Sequence, residues 1–278
     1  MTVEGKTILV TGSTDGVGRW LALRLGAEGA RVLVHGRDRR RGEAVVAEIG
    51  RQGGEATFLE ADLASLGEVR KLADVVQGQT DGLDVLVNNA GIGTAGDTRE
   101  VSADSCELRF AVNYLAGFLL TRLLLPKIER RAPSRIVNVS SLGQQAIDFS
   151  DVMLTRGYSG VRAYCQSKLA QILFTIDLAE ELGGRNVTVN ALHPATYMDT
   201  TMVRLSGVRP MSTVEDGGEA ILRLVASPTV GSGRFFNGRR EGRADAQAYD
   251  ADARSRLRRL SFQLVGWPIL DRRSGRKI

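Results

Sequence analysis

Short apolar runs alternate along this chain with longer segments whose apolar positions recur at helical spacing. The runs Thr7–Thr11, Arg31–His35, Glu55–Glu60, Val85–Asn88, Arg135–Val139, Thr188–Leu192 and Gly233–Phe236 predict strands. Between them the period predicts helices near 17–28, 38–51, 65–78, 102–130, 161–183 and 213–226. Strands that are apolar on both faces and alternate with helices fit a parallel sheet covered on both sides. Right-handed crossovers make this an α/β, doubly wound sheet of about seven strands, a single domain over residues 1–236. Residues 237–278 change character, and the run Leu257 to Leu264 again spaces its apolar residues as a helix does. This C-terminal helical extension is expected to pack on the domain surface; the sharper alternatives are a substrate lid or an oligomer contact.

Composition narrows the class. The 278 residues are 43% apolar, enough for one core. The net charge of +5 comes from 37 basic and 32 acidic residues, with arginine spread along the whole chain, so no nucleic-acid partner is expected. The local exception is Arg37, Arg39, Arg40 and Arg41. Two cysteines, Cys106 and Cys165, make no disulfide framework, and His35 and His193 lack metal-ligand spacing, so no metal is expected. The N-terminus runs straight into a strand-like segment with no visible signal peptide, and the most apolar stretch, Val112 to Pro126, is interrupted by Arg122. A cytoplasmic protein with no membrane span is expected.

The first strand ends in Thr11-Gly12-Ser13-Thr14-Asp15-Gly16-Val17-Gly18, which opens a helix. Gly12 permits a tight turn, Gly16 lets backbone approach a pyrophosphate, and Gly18 lets the helix pack close to the strand. N–H groups at the helix N-terminus then face the phosphates, so residues Gly12, Ser13, Thr14, Asp15, Gly16, Val17 and Gly18 are expected at a dinucleotide. The second strand ends in His35-Gly36-Arg37-Asp38. Arg37 can pair with a ribose 2′-phosphate, whereas Asp38 reads as the N-cap of the next helix. NADP(H) is therefore expected over NAD(H).

Tyr164 and Lys168 lie four residues apart, one turn along a helix face. Moving a phenol from its usual pKa of about 10 to about 7 takes roughly 4 kcal/mol. An ammonium about 4 Å away contributes on the order of 4 kcal/mol at an effective dielectric of about 20. Lys168 is thus large enough a perturbation to make Tyr164 an acid/base. Cys165 points about 100° away on the helix, and His193 reads as structural.

The series Thr11-Gly12-x-x-x-Gly16-x-Gly18, Asp62-Leu63, Asn88-Asn89-Ala90-Gly91, Asn113, Ser140-Ser141, Tyr164-x-x-x-Lys168 and His193-Pro194 resembles the short-chain dehydrogenase/reductase superfamily, single-domain type, with its Rossmann-type sheet. Val112-Asn113-Tyr114-Leu115, Arg135 to Ser141 and Ser167-Lys168-Leu169-Ala170 most resemble its retinol-dehydrogenase-like branch. The resemblance implies a catalytic set of Asn113, Ser141, Tyr164 and Lys168, with Ser140 the rival for the role of Ser141. Asp62 and Leu63 would sit at the adenine, Asn89, Ala90 and Gly91 at the adenosine ribose, and Pro194 and Thr196 at the nicotinamide. Tyr164 would exchange a proton with the substrate oxygen, which Ser141 would hydrogen-bond. Lys168 would hold the nicotinamide ribose, and Asn113 would hold a water linking Lys168 to solvent. It also implies a small-molecule substrate and a homo-oligomer, dimer or tetramer, through helices near 102–130 and 161–183.

Three departures stand out. Gln144 to Arg162 lengthen the segment between Ser141 and Tyr164, as the retinol-dehydrogenase-like branch also does. Pro194-Ala195 replaces the family's Pro-Gly, leaving the nicotinamide contact open between Thr196 and Thr200. Asp15 is an unusual carboxylate beside a phosphate site and reads as a helix cap. Pocket walls are expected from 92–99, 142–163 and 196–212. The leading expectation is an NADP(H)-dependent carbonyl reductase or alcohol dehydrogenase for a fairly apolar substrate. A redox-neutral isomerisation, dehydration or cyclisation on the same fold, and a non-enzymatic NADP(H) sensor, are the alternatives.

Overall fold

In β1 (Thr7–Val10) the side chains of Ile8 and Val10 join one hydrophobic cluster and that of Leu9 another, and all three are fully buried. Two faces of one sheet are therefore covered, as the continuous apolar strands require. A computed structural model describes residues 2–267. In chain order it contains β1, α1 (Gly16–Ala27), β2 (Arg31–Gly36), α2 (Arg39–Arg51), β3 (Glu55–Glu60), α3 (Leu66–Gln79) and β4 (Val85–Asn88). A wide π-helical turn (Phe110–Leu115) leads into α4 (Ala116–Arg130). Then follow β5 (Ser134–Val139), α5 (Gly160–Glu181), β6 (Val187–His193), α6 (Thr201–Leu205), α7 (Val214–Ala226), β7 (Phe235–Asn237), β8 (Arg240–Gly242), a 3₁₀ turn (Ala246–Tyr249) and α8 (Ala251–Leu264).

The eight strands run in the order β3-β2-β1-β4-β5-β6-β7-β8, parallel except for β8. The chain winds outward from β1 to β3 and then returns to start β4 on the other side of β1, so a crevice opens at the C-terminal ends of β1 and β4. One face is packed by α1, α2 and α7 and the other by α3, α4, α5 and α8. The sheet extends past residue 236 through the short β7–β8 hairpin, one strand more than the sequence predicts. Helix 102–130 is also shorter than its pattern suggests: Val101 and Glu107 form an antiparallel bridge, and Ser105 sits at φ 62.

Phe110–Arg130 is long and apolar enough by composition to cross a membrane, but 67% of its apolar window is buried within the fold. It is a core helix of this domain. The extension docks on this layer. Ser261 of α8 hydrogen-bonds Tyr114 (2.6 Å), Arg254 pairs with Glu180 (2.7 Å), Arg258 pairs with Asp177, and Phe262 packs edge-on to Phe118 at 5.2 Å. The α8 helix thus lies on α4 and α5, the pair that the resemblance offers for self-association. The rest of the predicted extension, 268–278, lies outside the described residues.

Candidate active site

The crevice is lined first by the glycine turn. Gly12 (φ +64) and Gly16 (φ +53) are left-handed, conformations in which glycine carries no side-chain penalty. A β-carbon on Gly12 would lie 2.8 Å from the Ala90 Cα, so the turn and the end of β4 need a glycine there to touch. Asn89 latches the two together: its Nδ2 donates to the carbonyls of Thr11 (2.8 Å) and Gly12 (3.1 Å). The Thr11 hydroxyl accepts the N–H groups of Asn89 (2.9 Å) and Ala90 (3.1 Å).

Several residues expected at the cofactor turn inward instead. Ser13 is fully buried, its hydroxyl donating to Val10 O (2.8 Å) and accepting from His35 N (2.9 Å). Val17 and Leu63 are buried in the core. These three can offer a ligand only backbone. Asp15 caps α1 by accepting the Gly16 N–H (2.8 Å), and Arg41 lies 3.8 Å from its other oxygen, which offsets a carboxylate placed beside a phosphate site. Asp38 caps α2 through Arg41 N (3.0 Å). Arg37 projects from the end of β2 with its side chain 69% exposed, 3.8 Å from Asp62. Asp62 Oδ1 also accepts the Ala64 N–H (3.0 Å).

His35 was missed by the motif reading. Buried at the end of β2, it accepts the Gly12 N–H on Nδ1 (3.1 Å) and so holds the glycine turn from below. The signal was a histidine closing an apolar strand run, which needs a partner for its ring nitrogen. Burial pushes its pKa down from 6.5 to about 4, only partly offset by the Ala61 backbone. The imidazole is thus neutral when folded and protonates more readily when unfolded. Its stabilising contribution is complete above pH 6.5 and is lost as pH falls toward 4. We expect His35→Gln to be less sensitive to acid than the wild type, by about 2 kcal/mol at pH 5, in urea titrations at pH 7 and pH 5. Equal acid sensitivity would contradict this role.

The second half of the crevice carries the polar cluster. Lys168 is buried on α5 and donates to Val139 O at the end of β5 (2.9 Å). A β-carbon on Gly91 would lie 3.4 Å from Lys168 Nζ and 3.2 Å from Asn113 Oδ1, so glycine keeps this approach to the ammonium open. The π-helical turn presents Asn113, whose Oδ1 accepts from Ile92 N (2.6 Å) and whose Nδ2 donates to Ile92 O (3.1 Å) and Ser167 Oγ (2.9 Å). Its side chain is thus engaged in fixing the loop after β4. Ser140 and Ser141 separate cleanly. Ser140 donates to Lys168 O (2.7 Å) and ties β5 to α5, whereas Ser141 hydrogen-bonds Tyr164 and accepts the Gly143 N–H (3.0 Å).

The electrostatics differ from the expectation of a preset acidic phenol. Lys168 Nζ lies 5.7 Å from the Tyr164 ring centroid. Burial raises the Tyr164 pKa, opposed by the Ser141 hydrogen bond, and burial lowers that of Lys168 to about 7. The protein alone keeps the phenol protonated, because burial disfavours the phenolate more than the Ser141 hydrogen bond favours it. Burial also raises Cys165, which argues against thiolate chemistry there. His193 is held near 4 by burial and by Lys168, and its Nε2 lies 3.1 Å from Thr196 Oγ1.

Pro194 is buried, and the left-handed residue of its loop is Tyr197 (φ 44) rather than Ala195. Thr200 caps α6 through Val203 N (3.4 Å), and its methyl would lie 3.1 Å from a β-carbon on Gly16. Thr200 thus abuts the glycine turn, while the Thr196 hydroxyl is occupied by His193. The 92–99 wall is clamped by buried Arg109, another residue the motifs passed over. It donates to the carbonyls of Gly93 (2.8 Å), Ala95 (2.5 Å) and Gly96 (3.1 Å) and to the Tyr158 hydroxyl (2.5 Å).

A dinucleotide suits these residues: a glycine turn opening a helix, a lysine reachable past Gly91, and an exposed arginine beyond β2. Fold and site together define a nicotinamide-type α/β oxidoreductase class, and residues 6–207 match the short chain dehydrogenase family model. The chain belongs to the short-chain dehydrogenase/reductase family. It is similar to human retinol dehydrogenase 13, with 36% identity over 95% of this chain and 86% of that protein. Human retinol dehydrogenase 11 is also 36% identical, over 96% of this chain and 88% of that protein. A Mycobacterium paratuberculosis protein of known crystal structure superposes with a TM-score of 0.79 at 32% identity, covering 96% of this chain and 95% of that one. A Burkholderia cenocepacia short chain dehydrogenase in complex with NADP gives 0.71 at 30% identity, covering 85% and 97%.

Proposed function

We propose that this oxidoreductase interconverts a carbonyl and an alcohol on an apolar small molecule, using NADP(H) and with Tyr164 as acid/base. The observation that carries this reading is the convergence of Ser141, Tyr164 and Lys168 at the end of β5, with Gly91 leaving the approach to the ammonium clear. The glycine turn and Lys168 would hold NADPH, which would supply the hydride. A phenol kept protonated by burial is suited to donate its proton to a carbonyl oxygen as that oxygen gains charge. Ser141, which hydrogen-bonds Tyr164 and accepts from Gly143, lies beside the same oxygen. Lys168, with a pKa near neutrality, is placed to relay a replacement proton. Asn113, through Ile92 and Ser167, fixes the wall facing this relay.

Substrate polarity is read from the rim. Among the described residues, six of the nine exposed large apolar side chains, Leu142, Val161, Tyr197, Met202, Leu205 and Met211, come from the stretches expected to wall the pocket. Apolar side chains concentrated there favour an apolar ligand. The relatives are named for retinol, an apolar alcohol, so retinal is the first carbonyl to test, within a panel of smaller aldehydes and ketones followed by nicotinamide absorbance. Absence of turnover across the panel would overturn the reading.

The cofactor preference rests on Arg37, since Asp38 is used as a cap and a free carboxylate is what NAD(H) would want at this point. Replacing Arg37 by Ala is expected to weaken NADPH roughly 10-fold or more, the value of one charge-assisted phosphate contact, and to leave NADH nearly unchanged. Dissociation constants for the two nucleotides decide it; tighter NADH binding by the wild type would refute the preference.

A further inference from the structure

The family match ends at residue 207, yet the polypeptide beyond it reaches back to the loop that carries Ser141. Gln247, in the 3₁₀ turn before α8, grips the backbone of Ile147 at two points. Its Oε1 accepts the Ile147 N–H (2.7 Å) and its Nε2 donates to the Ile147 carbonyl (3.1 Å). Next to it, Asp245 N–H donates to Gln144 Oε1 (2.7 Å), and Gln144 Nε2 donates to the Ser141 carbonyl (2.8 Å). Gly143 N–H closes the loop onto Ser141 Oγ (3.0 Å). The catalytic-site serine is therefore reached from the extension by an unbroken chain of hydrogen bonds.

The other end of that chain is anchored on the body that carries the rest of the site. Ala248 is fully buried, and Asp245 Oδ1 accepts the Gln247 N–H (2.9 Å). Arg254 donates to Ala248 O (3.3 Å) and pairs with Glu180 at the end of α5 (2.7 Å). Ser261 bonds Tyr114, the neighbour of Asn113. Tyr164 and Lys168 sit on that same α5. The extension thus ties the serine loop and the tyrosine helix to one frame. Between Val139 and Gly160 the backbone has no helix or strand to fix it, so the loop must be positioned by contacts of this kind.

We propose that Gln247, acting through Ile147 and together with Gln144, is a positioning residue that sets Ser141 against Tyr164, which makes the C-terminal extension part of the catalytic apparatus. This rests on the reading of Ser141 as a hydrogen-bond donor to the substrate oxygen. Misplacement of a reacting group by about 1 Å can cost on the order of 10²-fold in rate. Gln247→Met keeps the length and bulk of the side chain and removes both hydrogen bonds to Ile147. It is expected to lower kcat for NADPH-dependent carbonyl reduction roughly 10-fold or more, with unchanged NADPH affinity and a melting temperature lower by only a few degrees, the cost of the two lost bonds. Gln144→Ala is expected to act in the same direction. Hydrogen exchange should quicken at the amides of Gly143 and Ile147 in Gln247→Met.

Wild-type kcat in Gln247→Met would overturn the proposal, as would a loss of kcat matched by an equal loss of NADPH affinity. The exchange measurement separates this inference from the oxidoreductase reading. A wild-type protein that turns over no carbonyl defeats that reading alone; exchange at Gly143 then still decides the brace, quickened in support or unchanged against it.

Discussion

Replacing Tyr164 by Phe is expected to lower kcat/KM for carbonyl reduction by roughly 10²–10⁴-fold, the range over which a positioned general acid acts. That is about 3–5 kcal/mol of transition-state stabilisation. Phe keeps the ring and its packing and removes only the hydroxyl that hydrogen-bonds Ser141. Because the glycine turn, Arg37 and Lys168 are untouched, NADPH affinity should stay as in the wild type. The loss should therefore fall on kcat, with folding unchanged by circular dichroism. Steady-state kinetics check this directly. Retention of wild-type kcat would mean that another group protonates the substrate oxygen.

Gly18→Ala is the second large effect, and here two opposing terms must be compared. In an isolated helix alanine is favoured over glycine by about 1 kcal/mol. At this position, however, the new methyl would overlap the Gly12 carbonyl, a backbone atom, and the Asn89 amide, which is held by hydrogen bonds to Thr11 and Gly12. Overpacking costs about 1–3 kcal/mol, and each buried hydrogen bond lost from the Asn89 latch adds about 1 kcal/mol. The net expectation is destabilisation by about 3 kcal/mol together with loss of NADPH binding, since the methyl pushes apart the two edges of the cofactor crevice. Urea denaturation and nucleotide fluorescence read the two effects. A variant as stable as the wild type with normal NADPH affinity would show that Gly18 has room for a side chain.

Much of this was legible in the residues. Five of the first six strands declare themselves because burial on both faces leaves little polar alternation, with the half-exposed edge strand β3 the exception, and the glycine turn because a left-handed or tightly packed backbone has few substitutes for glycine. The Tyr164–Lys168 spacing reads as one helix face, and both residues do lie on α5. What escaped were features with weak local signals. Strand β8 is three residues long and largely exposed, and α6 buries no residue at all. The glutamine brace joins positions 100 residues apart, and no spacing rule connects Gln247 to Ile147. His35 was passed over because histidine was weighed as a metal ligand rather than as an acceptor for a turn. The acidity of Tyr164 was misjudged for a different reason. A pairwise Coulomb estimate assumes a separation and omits desolvation, and the fold buries Lys168, leaves Tyr164 half-buried and directs Lys168 to Val139.

The account turns on net hydride transfer to a carbonyl carbon, and one labelled turnover tests it. NADPH carrying deuterium at its transferable position is incubated with the wild-type protein and retinal, or with the best carbonyl of the panel, and the product is analysed by mass spectrometry. The account predicts an alcohol bearing the deuterium on its carbinol carbon, formed in step with oxidised nicotinamide. A product formed without label and without nicotinamide oxidation would contradict it and point to redox-neutral chemistry at the same site.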